Sequence, residues 1–232
     1  MKHYRLIDQN PMKTKRLLLT PMNAAELAEW AESAENEPLR DAYLEMRRRV
    51  TADSDQALWN TSWRMTLRET GETLGYLGFH GAPQDKTLEL GYDIPEANRT
   101  DGFATEATKA LCDWAFRQEN AYFIRVMTAG ENTASQNILR ELKFYRVESP
   151  AEGQSCWELE RPASGWMAIY LCIGLSVGLA LGSSLYSSQI MGMVIGMCAG
   201  LALGISLDSQ DRAARKREKE PKKLDLPEKQ KK

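Results

Sequence analysis

The chain has 232 residues with 30 Lys/Arg and 32 Asp/Glu, room for one ordinary domain and a smaller second element. Its net charge of −2 hides an asymmetry: Asp211 to Lys232 holds ten Lys/Arg and five Asp/Glu, a net of +5, which leaves −7 on residues 1–210. A main domain of that sign is a poor partner for nucleic acid.

Residues 1–14 are expected to be a loose start, and Lys15 to Met22 reads as a first strand. Asn23 with Glu26 three residues on has capping-box spacing, so a helix should run from there to about Ser33. A second helix is expected from Pro38 to Arg48, since Pro38 suits a first helical turn. Arg47-Arg48-Arg49 reads as its solvated end, well placed for the helix dipole, rather than as an acid-binding patch. Trp59 to Leu67 and Thr73 to Gly81 read as two strands joined by the turn Arg68 to Glu72, and Thr87 to Ile94 as the next strand. Ala107, Ala110, Leu111, Trp114 and Ala115 fall at helical spacing within Thr105 to Glu119. Tyr122 to Thr128 is rich in strand formers. Asn132 or Thr133 caps a helix to about Leu142, and Phe144 to Val147 with Ser155 to Leu159 close the domain as a hairpin. The order β, α, α, three antiparallel strands, α, β, α, β, β predicts an α+β domain with a mixed sheet.

The stretch Asn98-Arg99-Thr100-Asp101-Gly102-Phe103-Ala104-Thr105 joins a strand to a helix. The first N–H groups of a helix lack internal partners and lie at the positive end of its dipole, which favours phosphate. Gly102 lets a ligand approach the backbone, Ala104 is small for the same reason, and Arg99 adds a charge. The loop lacks the Lys-Ser/Thr ending of a nucleotide P-loop and the three glycines of a dinucleotide fingerprint. Arg99-x-x-Gly102-x-Ala104 instead resembles the Arg/Gln-x-x-Gly-x-Gly/Ala loop of the GNAT N-acetyltransferase superfamily. Thr14-x-Arg16-Leu17-x-Leu19, the Leu74-Gly75-Tyr76 hairpin, Glu89-Leu90-Gly91-Tyr92 and Asn132-x-x-Ser135-x-x-x-Leu139-x-x-Leu142-x-Phe144 resemble the branch of ribosomal-protein alanine N-acetyltransferases, over roughly residues 13–161.

This resemblance implies a GNAT-like mixed central sheet flanked by helices, and acetyl-coenzyme A as co-substrate. Its pyrophosphate would lie on Arg99 to Thr105. Its pantetheine arm would meet Asn132, for which a helix cap is the alternative. A backbone N–H around Tyr92, Asp93 or Ile94 would hold the oxyanion. An acceptor amine is mostly protonated near neutrality and must lose a proton. Glu89 is the candidate base; the alternative is a solvent-facing glutamate alternating with Leu88 and Leu90. Asp93 shares its face only if no bulge intervenes in the strand. Many GNAT enzymes carry a general-acid Tyr where this chain has Leu139, so Ser135 becomes the candidate donor to the thiolate, with a plain hydroxyl contact as the alternative. Lys143 replaces the usual Gly before Phe144, so the turn there is expected to differ. His80 reads as a surface residue, and Tyr145 and Trp157 as packing residues. No metal site is expected.

From Pro162 to Leu207 there is no charged residue. Trp166 to Leu185 and Ile190 to Leu207, joined by a turn at Leu185 to Gln189, are expected to cross ~30 Å of hydrocarbon as a two-span hairpin. Gly174, Gly178 and Gly182 fall on one face, and Gly192, Gly196, Gly200 and Gly204 on another, which suits close packing in lipid, with spare glycine faces available between chains. Trp166 and Tyr170 suit one interface and Tyr186 the other. Cys112, Cys156, Cys172 and Cys198 form no C-x-x-C pair and read as reduced thiols. Met1 to Leu6 has no apolar signal core. The basic tail marks the cytoplasmic side, so both termini are expected there, with the tail disordered along anionic lipid. The expected domains are 1–161, 162–208 and 209–232. The function implied is a membrane-tethered transfer of acetyl to a protein N-terminus or another amine. A degenerate acetyl-coenzyme A-binding sensor or scaffold, or a structural membrane protein, are the alternatives.

Overall fold

The structure, a computed structural model, describes residues 11–34, 36–95, 98, 101–185, 188–217 and 221. The chain divides into two compact units, with the break between Arg161 and Pro162.

The first unit is built on an eight-stranded mixed sheet. Its strands are β1 (Met12–Lys13), β2 (Leu17–Pro21), β3 (Ser62–Leu67), β4 (Thr73–Phe79), β5 (Thr87–Asp93), β6 (Phe123–Ala129), β7 (Tyr145–Val147) and β8 (Gln154–Glu160), in the order β1-β2-β3-β4-β5-β6-β8-β7. Four helices accompany it: α1 (Ala24–Glu32), α2 (Glu37–Ala52), α3 (Phe103–Ala115) and α4 (Thr133–Glu141).

Local chemistry explains most boundaries. Asn23 and Glu26 form the complete capping box of α1, and Asn36 caps α2 with Pro38 in its first turn. Arg48 and Arg49 both pair with Glu45 on the exposed helix surface, so that basic run is a solvated face. Four boundaries depart from the sequence expectation, one of them the end of α2, which runs on past Arg48 to Ala52. The loose start holds β1, because Thr14 turns the chain back onto Leu17 and pairs Met12 with Leu19. Ser54–Trp59 is a 3-10 turn capped by Asp53, so the strand after it begins only at Ser62. Helix α3 ends at Ala115, where the Phe116 N–H closes the last turn on Cys112.

Period-two alternation sorts the sheet into two faces. Leu17, Leu19, Trp63, Met65, Leu77, Phe79, Leu88 and Leu90 are buried on the face where Trp114 of α3 meets Trp63 and Phe79. The opposite face carries Tyr76, which α1 covers through Trp30 at 4.2 Å between ring centroids. Glu26 pairs with Arg64 on that same face.

The centre of the sheet parts. Strands β5 and β6 pair in parallel only from Thr87↔Phe123 to Glu89↔Arg125. Beyond that point β5 follows β4, and β6 follows β8 along its whole length to Ala129↔Gln154. A parallel pair whose strands are each held by an antiparallel neighbour can diverge without unravelling the sheet. The cleft so formed lies between the C-terminal halves of β5 and β6.

The second unit is an antiparallel pair of helices, α5 (Trp166–Leu185) and α6 (Gln189–Arg215). Every glycine of the two faces lies in the seam between them. A Cβ at Gly178 would come within 2.3 Å of the Gly192 carbonyl, and one at Gly196 within 2.0 Å of that of Gly174. A Cβ would meet backbone within 2.2 Å at Gly200, 2.5 Å at Gly204 and 2.8 Å at Gly182. The expectation of spare glycine faces for pairing between chains is therefore corrected: the internal seam uses all seven. Ile169, Ile173, Val177, Met191, Val194 and Ile205 point outward and are exposed.

Helix α6 is long and apolar enough to cross a membrane, while Trp166–Gly182 counts as a shorter apolar helix. Helix α6 also runs on to Arg215, into what the sequence assigned to a disordered tail, because charges are no obstacle to helix hydrogen bonding. Arg215 pairs with Asp211 one turn back and donates to the Pro162 carbonyl. Asp208 accepts from the Met167 N–H, so the polar groups of this unit gather at its open end. Tyr186 and the tail from residue 222 lie outside the described residues.

Candidate active site

The turn before α3 is built from a glycine that has no side chain to cap its helix. Gly102 is the N-cap of α3 in the left-handed region, with φ +73°, and no side chain caps the helix. The space above it is open apart from Arg16 Nη2, 3.9 Å from where a Cβ would sit. Asp101 and Phe103 flank it, Ala104 is buried beneath it, and Thr105 donates to Glu141 at the end of α4, 3.2 Å away. Arg99 and Thr100 lie outside the described residues.

A buttress that the sequence reading missed holds this turn. Glu106 accepts from the Thr14 hydroxyl at 2.5 Å, from the Arg16 N–H at 2.8 Å and from the Arg16 guanidinium at 2.8 Å. The same guanidinium donates to the Asp101 carbonyl at 2.9 Å and lies 4.3 Å from the centre of the Phe103 ring. Burial opposes ionisation of Glu106, but these donors outweigh it and hold its carboxyl below the usual 4.5. The partners are about 90 residues apart, so no local signal could have joined them.

Tyr92, Asp93, Ile94, Ala104, Asn132 and Ser135 come together around a cavity of about 60 Å³ in the cleft. Ser135 is only 5% exposed, and its hydroxyl is 2.5 Å from the Tyr92 hydroxyl. Asn132 Oδ1 accepts from the Ser135 N–H at 3.0 Å as the cap of α4, so the helix-cap alternative holds for that oxygen. The sequence reading used only the backbone of Tyr92; its phenol is the contribution it missed.

Glu89 is elsewhere. The β4–β5 register runs without a shift from Tyr76↔Asp93 to Phe79↔Leu90, so Glu89 and Asp93 share the face opposite Tyr92. The bulge lies instead between β3 and β4, at Met65/Thr66. Glu89 lines a hollow of about 180 Å³ with His80, Gln84 and Arg125, and its carboxylate is 3.5 Å from His80 Nδ1. Glu89 is thus on the face of β5 opposite Tyr92, whose hydroxyl meets Ser135 of α4. Behind the hollow, Glu158 is fully buried. Arg125 pairs with it at 3.2 Å, and the Tyr145 hydroxyl donates to it at 2.7 Å. Tyr145 therefore does more than pack.

The two departures in the last helix resolve differently. Leu139 is a fully buried core residue. Lys143 takes the left-handed conformation, φ +64°, and the turn forms regardless. Phe144 N–H bonds Leu139 O and Lys143 N–H bonds Arg140 O, both at 2.9 Å, the pattern of a Schellman helix end. Among the described residues no cluster of His, Cys, Asp and Glu can hold a metal ion.

Comparison with known proteins agrees with this architecture. The family model of the acetyltransferase (GNAT) domain matches residues 12–145. An uncharacterized N-acetyltransferase p20 of Bacillus licheniformis is 35% identical over 81 residues, which are 34% of this chain and 46% of the relative. The chain spans about half the length of the curated relatives it matches. Among solved structures, the ribosomal-protein-S5-alanine acetyltransferase of Vibrio fischeri shares the fold at a TM-score of 0.53 and 10% identity, covering 66% of this chain and 97% of that one. The ribosomal L7/L12 α-N-protein acetyltransferase RimL, in complex with coenzyme A, does so at 0.51 and 14%, covering 67% and 100%. With the family match extending over more than half of its residues, the chain belongs to the GNAT acetyltransferase family.

Proposed function

We propose that the chain is an N-acetyltransferase that moves acetyl from acetyl-coenzyme A to an amine, a protein N-terminus or another amine. The observation that carries this reading is the alignment of the uncapped, glycine-started N-terminus of α3 with the cleft lined by Tyr92, Asn132 and Ser135. The groups present fit the co-substrate. Phosphates gain from the open space above Gly102, the N–H groups at Phe103, Ala104 and Thr105, and the Arg16 guanidinium; Arg99 would add to this. A neighbour of this fold, RimL, is in complex with coenzyme A, which supports the reading.

The arm of the ligand then runs along Tyr92 to Ile94, past Asn132. A backbone N–H in that part of β5 stabilises the oxyanion of the tetrahedral intermediate. The Tyr92–Ser135 hydroxyl pair lies where the thiolate leaves and supplies its proton, the task that Leu139 cannot perform. That pair favours transfer over mere binding. Glu89, on the opposite face, supplies the carboxylate on which proton removal from the incoming amine depends.

The helix pair α5–α6 is read as the membrane attachment, with both helices crossing and both termini cytoplasmic. Support comes from the apolar outer side chains, the small-residue seam and the collection of charges at the open end. Resistance to alkaline extraction, with tags at both termini accessible from the cytoplasm, is the expected result; release of the chain would defeat the anchor.

The test of the cofactor reading is calorimetric titration of acetyl-coenzyme A into the full chain in detergent. The wild type should bind, and Gly102→Glu, which places bulk and negative charge in the turn, should lose at least about tenfold in affinity. Undiminished binding by that variant would remove the turn from the site.

A further inference from the structure

We propose that the imidazole of His80, beside the Glu89 carboxylate and against Gly91, is the group that accepts the proton of the incoming amine. The proposal rests on the acetyltransferase reading above and assigns its acceptor side.

Three observations carry it. The first concerns Gly91, in the middle of β5. Its backbone is not in the left-handed region, so conformation does not call for glycine there. Space does: a Cβ at Gly91 would come within 2.9 Å of His80 Nε2 and 3.5 Å of its Cε1. A glycine inside a strand commonly marks such a close approach. One edge of the imidazole therefore lies against the strand at Gly91, while the rest of the ring is open to solvent.

The second is the pairing of the ring. His80 Nδ1 is 3.5 Å from Glu89 Oε1, and the Glu89 carbonyl accepts from the His80 N–H at 2.9 Å. A carboxylate at one ring nitrogen sets the tautomer that leaves the other nitrogen a base. Here the carboxylate faces Nδ1, and Nε2 is the nitrogen over Gly91. The other charged group of this hollow, Arg125, is drawn to the buried Glu158, which also receives Tyr145.

The third is position. The parallel pairing of β5 and β6 ends at Glu89↔Arg125, so Gly91 is just past the point where the strands part. Beside that point Tyr92, with Ser135 at its hydroxyl, is on one face of β5, and Glu89 with His80 Nε2 over Gly91 is on the other. A thioester arm arriving along Tyr92 and an amine arriving in the hollow of about 180 Å³ would meet in the gap between them.

The ammonium of the acceptor gives one proton to Nε2, forming an imidazolium that Glu89 stabilises. The amine nitrogen attacks the thioester carbonyl, the new C–N bond forms, and the C–S bond breaks as the tetrahedral intermediate collapses. The second nitrogen proton ends on the departing sulfur through the Tyr92–Ser135 side, and the imidazolium returns its proton to water.

The experiment uses the full chain in detergent. Acetyl transfer is measured to two probes, a short peptide with a free N-terminal alanine and an N-blocked peptide carrying one lysine. His80→Ala should lower kcat by about 10²-fold or more, with KM and the Kd for acetyl-coenzyme A within about twofold of wild type. Free imidazole should restore part of that loss, because His80 and its hollow are open to solvent. Gly91→Ala, which pushes the ring off the strand, should lower kcat in the same way with no change in acetyl-coenzyme A binding. Unchanged turnover in His80→Ala overturns the proposal and leaves the acetyltransferase reading standing. So does a loss that imidazole does not restore and that is matched by a lower melting temperature, since that marks a packing role. A wild type that binds acetyl-coenzyme A and transfers to neither probe overturns the acetyltransferase reading, and this proposal with it.

Discussion

The two units bury opposite things. In the first, large apolar and aromatic side chains fill the interior: Trp63, Trp157, Leu77, Leu90 and Leu111 are at most 1% exposed. In the second, glycines line the interior and isoleucine, valine and methionine face outward. Side-chain volume drives association in water because it removes apolar surface from solvent. In hydrocarbon it gains little, and close backbone approach takes its place. On the proposal that the second unit lies in a membrane, the same residue types have opposite value on either side of Arg161, and substitutions can break or sharpen that contrast.

The largest effect is expected from Gly178→Ile. Its Cβ has a carbonyl oxygen at 2.3 Å, and no side-chain adjustment relieves a backbone clash, so the helix pair must open. Distances between spin labels at positions 169 and 205 should lengthen and broaden, whereas Ile173→Ala on the outer surface should leave them unchanged. Equal behaviour of the two variants would erase the distinction between seam and surface.

A smaller effect separates the units by charge. Glu106 is the partly buried anchor of the turn at residues 101–103, and its carboxyl is held below the usual value in the folded chain. A depressed folded-state pKa stabilises at pH values above the unfolded one, and that contribution disappears as pH falls through the folded value. Glu106→Gln should cost about 1–3 kcal/mol near neutrality and flatten the acid side of the stability curve, in denaturant titrations across pH. It should also weaken acetyl-coenzyme A binding, since Arg16 would lose its anchor. A variant with an unaltered pH profile would show that Glu106 contributes nothing through its charge.

The smallest effect is a gain. Lys143 holds a left-handed helix end that glycine adopts without a Cβ clash. Lys143→Gly should stabilise the first unit by about 1 kcal/mol or slightly less, read as a modest rise in denaturation midpoint. A loss instead would mean that the lysine side chain earns its place through contacts of its own.

Much of the fold was legible because it is written locally. Asn23 with Glu26, Asn132 before Ser135, and the alternation of Leu88 and Leu90 with Glu89 each fix an element within a few residues. The expectation that Lys143 would alter its turn was wrong for an energetic reason. The strain of one left-handed residue is about 1–2 kcal/mol, less than the burial of Phe144 and Leu139 that the turn secures. The candidate site was legible as a set of residues but not as an arrangement. Glu89 and Ser135 looked like partners in one site, and only the register of β5 against β4, which turns Glu89 away from Tyr92, and the meeting of Tyr92 with Ser135 separated them.

By itself the sequence determined the order of elements, the glycine at the start of α3, the caps of its neighbours and the charge-free segment with its glycine spacing. These follow from periodicity, backbone conformation and short-range hydrogen bonding. The tertiary structure alone decided the rest: that Thr14 and Arg16 buttress the turn through Glu106, that Tyr92 meets Ser135, that Gly91 makes room for His80, and that all seven glycines of the helix pair face inward. Each joins groups from separate elements, and the energy that fixes such a contact comes from packing those elements together, a term that no local stretch of residues contains.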